Sequence, residues 1–314
     1  MIAIQALLTE NDLADEFVAA FRARRFAEKF FYWFPLSVRA WLALCSDGAY
    51  RNYERSRSLI AQSSDDLARC IPPGPVEVLS LGSGQGDKDL LLVNALRGHG
   101  VRVSYVPVDT SLALLELACQ GALAVGLATL GIKADVTREG HLAALAADPE
   151  TPPRLVLLIG NTLGAFDPIA AARDLRALLR PQDLLVVDGE IYAAQQTLAG
   201  YDNPLNRRFA WAPLHAVGIT EADGELVFED RTDDRLPGLH PLAKHFRATR
   251  DVAAHLGGGG ESLTLRSGER LEMNHSYKYD ASTFLQILAD AGLTVRWRGT
   301  SDDGRFLMVL AGTT

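Results

Sequence analysis

Cysteine is scarce. Cys45, Cys70 and Cys119 lie far apart with no C-x-x-C spacing, which leaves out a disulfide framework or zinc ribbon and fits buried thiols in a reducing compartment. The seven histidines form no H-x-x-x-H pair and no cluster with acids at metal-ligand spacing, so no metal is expected. No apolar run approaches the roughly 20 residues that cross a bilayer. The first residues, MIAIQALLTENDLADEF, lack a basic stretch and meet acids by Glu10, unlike a secretory signal. A soluble cytoplasmic protein is expected. Positive charge is also short: the formal net charge is −8 and the pI is near 5.4. Phosphate backbones are held by clustered Lys and Arg, so nucleic acid is not the expected partner. No G-x-S-x-G nucleophile elbow appears, nor any internal repeat.

What is present is enough for a sizeable core: 314 residues, 48% of them hydrophobic. Residues 1–70 read as a helical cap, with apolar residues three and four apart in ENDLADEFVAAFRARRFAEKFFYWF and again in WLALCSDGAYRNYERSRSLIAQSSDDLA. IPPGP at 71–75 breaks that pattern. Strand-like runs then alternate with helical ones: VEVLSL, VRVSYVPVD, IKADV, RLVLLIGN and DLLVVDGEIY, each but the last followed by an amphipathic stretch. Continuously apolar strands in strand–helix alternation predict a doubly wound, Rossmann-like parallel α/β sheet. The alternation stops near 195, and 195–279 reads as an inserted α+β substrate subdomain, with GGGG at 257–260 as a mobile lid tip. A helix and two β-rich runs joined through DDG close the chain, so the core is 71–194 with 280–314 and ends in an antiparallel hairpin.

The stretch VEVLSLGSGQGDKDLLLVNAL places Gly82, Ser83, Gly84 and Gly86 between a strand and a helix. Such a turn lets a ligand approach the backbone and meet unpaired N–H groups. The spacing alone suits any nucleotide-like cofactor. The dinucleotide pattern needs a third glycine at 87, where this chain has Asp87, and a carboxylate there would repel a pyrophosphate. A ligand with its own cation and an amino-acid part fits better. Asp109 ends the second strand, where an acid can accept from both ribose hydroxyls. It lies 27 residues after Gly82, beyond the roughly 20 of the dinucleotide rule. Asp135 follows the third strand, where an acid can accept from an adenine amine. Either acid could instead cap a helix. Together with the terminal hairpin these positions point to S-adenosylmethionine, with Lys88 pairing its methionine carboxylate.

The motifs LGSGQGDKDLLL, YVPVDTS, GNTLGAFDP, LRPQDLLVVDGE, YDN, NHSYKYD and DGRFLMVLA occur in this order. This arrangement resembles the histidine Nα-methyltransferase family of the ergothioneine pathway, which includes fungal ergot-alkaloid N-methyltransferases, and the likeness runs from about Phe31 to Ala311. The resemblance implies a class I methyltransferase sheet and release of S-adenosylhomocysteine. It implies cofactor contacts at Tyr32, Gly82, Lys88, Asp109 and Asp135. Substrate positions are implied at Tyr50, Tyr201 and Ser276, and a monomer is implied.

Three positions depart from the family. Ser80 stands where relatives have an acid. Ala165 replaces the Asn that grips the substrate's amino-acid group, and Asn274 replaces the Glu that reads imidazole. A site stripped of hydrogen-bonding partners discriminates against the substrate that needs them, so a substrate other than histidine is expected. Asn161 could supply a relocated amide. Arg207, Arg208 or Arg247 could pair a substrate carboxylate in place of Ala165, and Phe246 is expected on the wall with Asn274 and Ser276. The expected activity is N-methylation of an amino acid or related small amine, with Tyr50 and Tyr201 holding the amine. A silent cofactor-binding regulator, or O- or C-methylation of a small molecule, are the alternatives.

Overall fold

A computed structural model describes residues 2–48, 50–255 and 262–313. The GGGG at 257–260, expected to form a lid tip, lies outside the described residues. The chain opens with a short strand β1 (Ile4–Ala6), then α1 (Glu10–Arg22), a 3-10 turn (Glu28–Phe31), α2 (Pro35–Ser46) and α3 (Arg51–Cys70). Thr9 starts α1 through a reciprocal capping box with Asp12. The helix buries Leu13, Phe17 and Phe21, one turn apart.

The alternating core follows: β2 (Pro75–Leu81), α4 (Asp87–Gly98), β3 (Arg102–Asp109), α5 (Leu112–Ala124), β4 (Ala128–Thr129), β5 (Gly131–Lys133), α6 (Glu139–Ala144), β6 (Arg154–Leu158), α7 (Pro168–Leu178) and β7 (Leu184–Glu190). Next come α8 (Ala194–Tyr201), α9 (Pro204–His215), β8 (Gly224–Asp230), β9 (Leu239–Ala248), β10 (Val252–Ala254), β11 (Leu263–Leu265) and β12 (Arg270–Tyr279). The chain finishes with α10 (Ala281–Asp290), β13 (Leu293–Thr300) and β14 (Phe306–Thr313).

The main sheet has the order β1-β5-β3-β2-β6-β7-β14-β13, with β4 beside β3. All its pairs are parallel except β7–β14 and β14–β13. The doubly wound sheet and closing hairpin are as the sequence predicts. Every residue of β7 and β14 is buried, because helices or other strands cover both faces. One face packs Leu79, Leu81, Val156, Val187 and Tyr279 against α7 and α10. The other packs Val78, Tyr105, Leu157 and Met308 against α3 and α4.

Two features of the N-terminal segment differ from the helical reading. Residues Ile4–Ala6 join the main sheet parallel to β5. The long pattern from Glu10 to Phe34 breaks at Arg24, which takes φ 59°. Its guanidinium reaches Phe21 O, Thr264 O and Glu269, while Glu272 N–H donates to Arg24 O. These contacts with a segment some 240 residues away hold a backbone conformation that the local pattern opposes.

A third core joins the N-terminal helices to the segment after β7. Phe17, Phe21, Phe26, Phe30 and Phe31 pack with Phe209, Trp211, Phe246, Leu271 and Met273. Neither part has enough apolar surface to cover its own face, so each completes the other. The strands β12, β9 and β8 form a separate antiparallel sheet that supplies one side of this core.

Candidate functional site

At the carboxyl ends of β2, β3, β5 and β6 lies a cavity of about 550 Å³, well inside the range of roughly 300–1,000 Å³ common for small-molecule sites. This is where open α/β sheets bind ligands. The N-terminal turn, α2, α3, α9, β9 and β12 enclose it.

The glycine turn forms its floor. Gly82, Gly84 and Gly86 have φ of 69°, 56° and 76°, the left-handed region that side chains oppose. A Cβ on Gly86 would lie 2.9 Å from Ala118 Cβ, so the turn packs against α5 there; a Cβ on Gly84 would meet nothing within 4 Å. Asp109 accepts from Gly84 N–H and from Ser111 N–H, both at 2.8 Å. Burial pushes its carboxyl up, against the lowering effect of these N–H groups. It is not the cap of α5, whose N-cap is Ser111. Ser83 Oγ is buried with no partner among the described residues.

Asp135 is held more tightly. Lys29 Nζ donates to it at 2.6 Å, and Thr137 donates through both its N–H and its hydroxyl. Burial pushes the Asp135 carboxyl up, but Lys29 and these hydrogen bonds bring it below its usual value. Both acids line the cavity, as does Lys88, whose ammonium sits 5.3 Å from the Tyr53 ring centroid. The acid missing at position 80 has a neighbour in its stead. Ser80 and Tyr105 both hydrogen-bond Asp89, whose carboxyl is pushed up to about 6 by burial.

Aromatic rings bound the middle of the cavity. Trp41 lies 5.2 Å from Tyr32, 6.3 Å from Tyr50 and 5.5 Å from Phe209, centroid to centroid. Such rings favour a cation by their quadrupoles. Burial raises Tyr32, Tyr50 and Tyr201 well above the ordinary phenol range, so all three stay protonated near neutrality.

Tyr201 belongs to a buried network. Its hydroxyl donates to Glu190 at 3.1 Å and accepts from Lys278 Nζ at 2.7 Å. Lys278 also donates to Ser276 Oγ at 2.7 Å and pairs Glu190 at 3.0 Å. Asn52 and Arg305 complete the shell around Glu190. Lys278 and Glu190 are almost fully buried, a placement that is stable only with every polar atom engaged.

Several expected positions come together here: Tyr32, Tyr50, Ser83, Asn161, Ala165, Tyr201, Asn274 and Ser276 all line the cavity. Others do not. Phe246 is buried in the N-terminal core, 5.7 Å from Trp211, because the β9 face continues past the cavity edge; Lys244, two residues earlier, is the lining residue. Arg207 pairs Asp202, Arg247 pairs Glu225 and Arg208 is exposed, and none of the three reaches the cavity wall. The amide of Asn161 is already engaged. Its Oδ1 accepts from Glu190 N–H at 2.9 Å, and its Nδ2 donates to Tyr277 O at 3.2 Å and Ser276 Oγ at 3.3 Å. With φ 58° and its N–H on Asp188, Asn161 is a brace between β6, β7 and β12 rather than a spare amide for a ligand. Asn274 is turned by an Nδ2 hydrogen bond to Glu28.

Sequence reading missed Glu28, Lys29, Trp41, Tyr53, Asp89, Phe209 and Lys244, all of which line the cavity. The aromatic spacing of the first helices was visible, but period alone cannot separate core faces from cavity faces.

Residues 13–313 match the model of a family described as histidine-specific methyltransferase, SAM-dependent. The chain belongs to that family. It is 27% identical over 286 residues to a 4-dimethylallyltryptophan N-methyltransferase of Claviceps fusiformis, covering 78% of this chain and 76% of the relative. It is 28% identical over 270 residues to a histidine N-alpha-methyltransferase of Mycobacterium tuberculosis, covering 83% and 82%. A histidine N-alpha-methyltransferase of Mycolicibacterium smegmatis is 26% identical over 269 residues, covering 82% and 78%.

The protein is thus an S-adenosylmethionine-dependent methyltransferase, and the cavity fits that cofactor in kind. Gly84 leaves open space beside the backbone, Ser83 offers a hydroxyl without a partner, and Lys88 has no ion-pair partner among the described residues. Among the described residues no helix is long and apolar enough to cross a membrane.

Proposed function

We propose that this methyltransferase transfers methyl to the amino group of an amino acid or related small amine other than histidine. The observation that carries the reading is the altered wall: Ala165 presents a methyl group, the Asn161 amide is engaged by the protein, and Asn274 is turned to Glu28. The amide and the acid that the family resemblance assigns to reading a histidine are both missing from these positions. A site lacking the partners a substrate was read by rejects that substrate strongly. One named relative acts on 4-dimethylallyltryptophan and two on histidine, so substrate choice varies across this fold.

The residue roles follow the same proposal. Asp109 accepts from the ribose hydroxyls, Lys88 pairs the methionine carboxylate, Asp135 faces the adenine, and Tyr32 borders the cofactor. The division at 1–70, 71–194 with 280–314, and 195–279 assigns the last part to substrate. A small-molecule partner rather than nucleic acid, a monomer and a cytoplasmic location complete the reading, on the acidic charge and enclosed cavity.

When bound, S-adenosylmethionine supplies a methyl group on a sulfonium and departs as S-adenosylhomocysteine. The chain's residues hold the amine, keep water out and favour its neutral form. Tyr201 donates a hydrogen bond to Glu190 and accepts one from Lys278, so its ring and hydroxyl are fixed in the cavity wall where the amine is held. Tyr50 lines the same cavity beside Trp41. Positioning and desolvation are the main contributions such a site makes.

Mass spectrometry of the purified protein with S-adenosylmethionine and a panel of amino acids and biogenic amines tests the reading. Mass gain on a non-histidine amine is expected; efficient trimethylation of histidine overturns it. Tyr201→Phe should lower kcat about tenfold or more while calorimetry shows nearly unchanged cofactor affinity. Gly84→Ala should cost about 1–2 kcal/mol in urea unfolding from its left-handed φ, and should weaken cofactor binding by more than that, since the new methyl enters the ligand's space.

A further inference from the structure

Lys244 is a cavity residue with no ion-pair partner among the described residues. It sits on β9 directly across from Asn274 of β12 and is 8% exposed. Its ammonium lies 4.8 Å from the Phe31 ring centroid and 5.9 Å from that of Phe209. No ion pair or hydrogen bond to another described residue satisfies it. The charges that face it are Glu28 from the N-terminal turn and Lys278 from β12, acting on it at a distance. The two phenylalanines add no titratable group.

The other cations of the cavity are accounted for. Lys29 pairs Asp135 and Glu16, and Arg25 pairs Glu272. Lys88 stands near Gly160 and Asp188, on the sheet side. Lys244 lies instead on β9, beside Asn274 of β12 and over the Phe31 and Phe209 rings. Glu28 is partly engaged already, accepting from Tyr32 and Asn274. A buried lysine is costly and is rarely kept without a partner.

Resting on the N-methylation reading, we propose that Lys244 is a specificity residue that pairs a carboxylate of the substrate, so that the enzyme selects amines that carry an anionic group. The lysine would supply, from the Asn274 side of the cavity, the carboxylate partner that Arg207, Arg208 and Arg247 do not provide. The carboxylate could be the α-carboxylate of an amino acid or one on its side chain; both present the same oxygens to the ammonium.

Burial pushes Lys244 down to about 8. It is charged below that pH and neutral above it, so preference for an anionic substrate should fade as pH rises through about 8. Lys278, the other cation acting on it, is also lowered by burial and is held to Glu190 and Tyr201.

The test is calorimetry on protein loaded with S-adenosylhomocysteine, wild type against Lys244→Met, with two pairs of probes. L-Tryptophan against tryptamine isolates an α-carboxylate; L-glutamate against L-glutamine isolates a side-chain one. In at least one pair the wild type should bind the anionic member at least about tenfold more tightly, a ratio near unity in the variant. Affinity for S-adenosylhomocysteine should be unchanged. The melting temperature of Lys244→Met at pH 7 should stay equal or rise, because a desolvated charge is removed; a lysine kept for packing would lower it. No anionic preference in either pair, a preference that survives the substitution, or no binding of any probe overturns the proposal. Failure of S-adenosylhomocysteine itself to bind would instead strike the cofactor reading beneath it.

Discussion

Replacing Asp109 with Ala should weaken S-adenosylmethionine binding at least about a hundredfold in calorimetry. Hydrogen bonds to a charged group contribute about 1.5–3 kcal/mol each, and a carboxylate gripping two ribose hydroxyls makes two of them. The variant also removes the acceptor for Gly84 N–H and Ser111 N–H, so the turn that receives the cofactor loses its brace. Asp109→Asn keeps one acceptor oxygen and should fall between. The ionised carboxylate is the binding form, and burial raises its pKa. Cofactor affinity should therefore decline as pH falls through that raised value and be full above it. A change below about fivefold for Asp109→Ala would remove the ribose role.

Lys278→Met should be the most damaging single change to stability, costing about 3–5 kcal/mol in urea unfolding, the range for breaking one side of a buried pair. The variant leaves Glu190 buried with Asn52, Tyr201 and Arg305 as its remaining partners. It also takes away the donor that fixes the Tyr201 and Ser276 oxygens. Loss of methylation should therefore exceed that of Tyr201→Phe. Adding Glu190→Gln to Lys278→Met should restore part of the stability, since the buried carboxylate that lost its nearest cation goes, without restoring rate. A single variant as stable as wild type would show that the pair is not a structural requirement.

The glycine turn, the two acids and the strand alternation were legible because each is a local device. A left-handed turn needs glycine, a buried parallel strand needs unbroken apolar residues, and an acid after a strand sits at the sheet's carboxyl edge. The main sheet is accordingly doubly wound, running outward from β2 through β3 and β5 on one side and through β6 and β7 on the other. The tyrosines and Ser276 were legible only through resemblance, since nothing in the local sequence of Tyr50 or Tyr201 separates a cavity residue from a helix-face one.

The errors share a physical origin. Arg207, Arg208 and Arg247 look like free cations in sequence, yet two of them have acids supplied by neighbouring structure and the third faces solvent. Phe246 and Lys244 share one face of β9, and only the position of the N-terminal helices decides which is core and which is wall. Asn161 lies where an amide could meet a ligand, but long-range contacts with β7 and β12 occupy it.

By itself, the sequence determined the doubly wound sheet, the closing hairpin and the cofactor edge, because backbone preference and apolar periodicity act within a few residues. Tertiary structure alone decided the Arg24 break, the shared aromatic core, the buried Lys278–Glu190 pair and the unpaired ammonium of Lys244. Those depend on which distant surfaces meet, and a charge acquires its partner, or goes without one, only when they do.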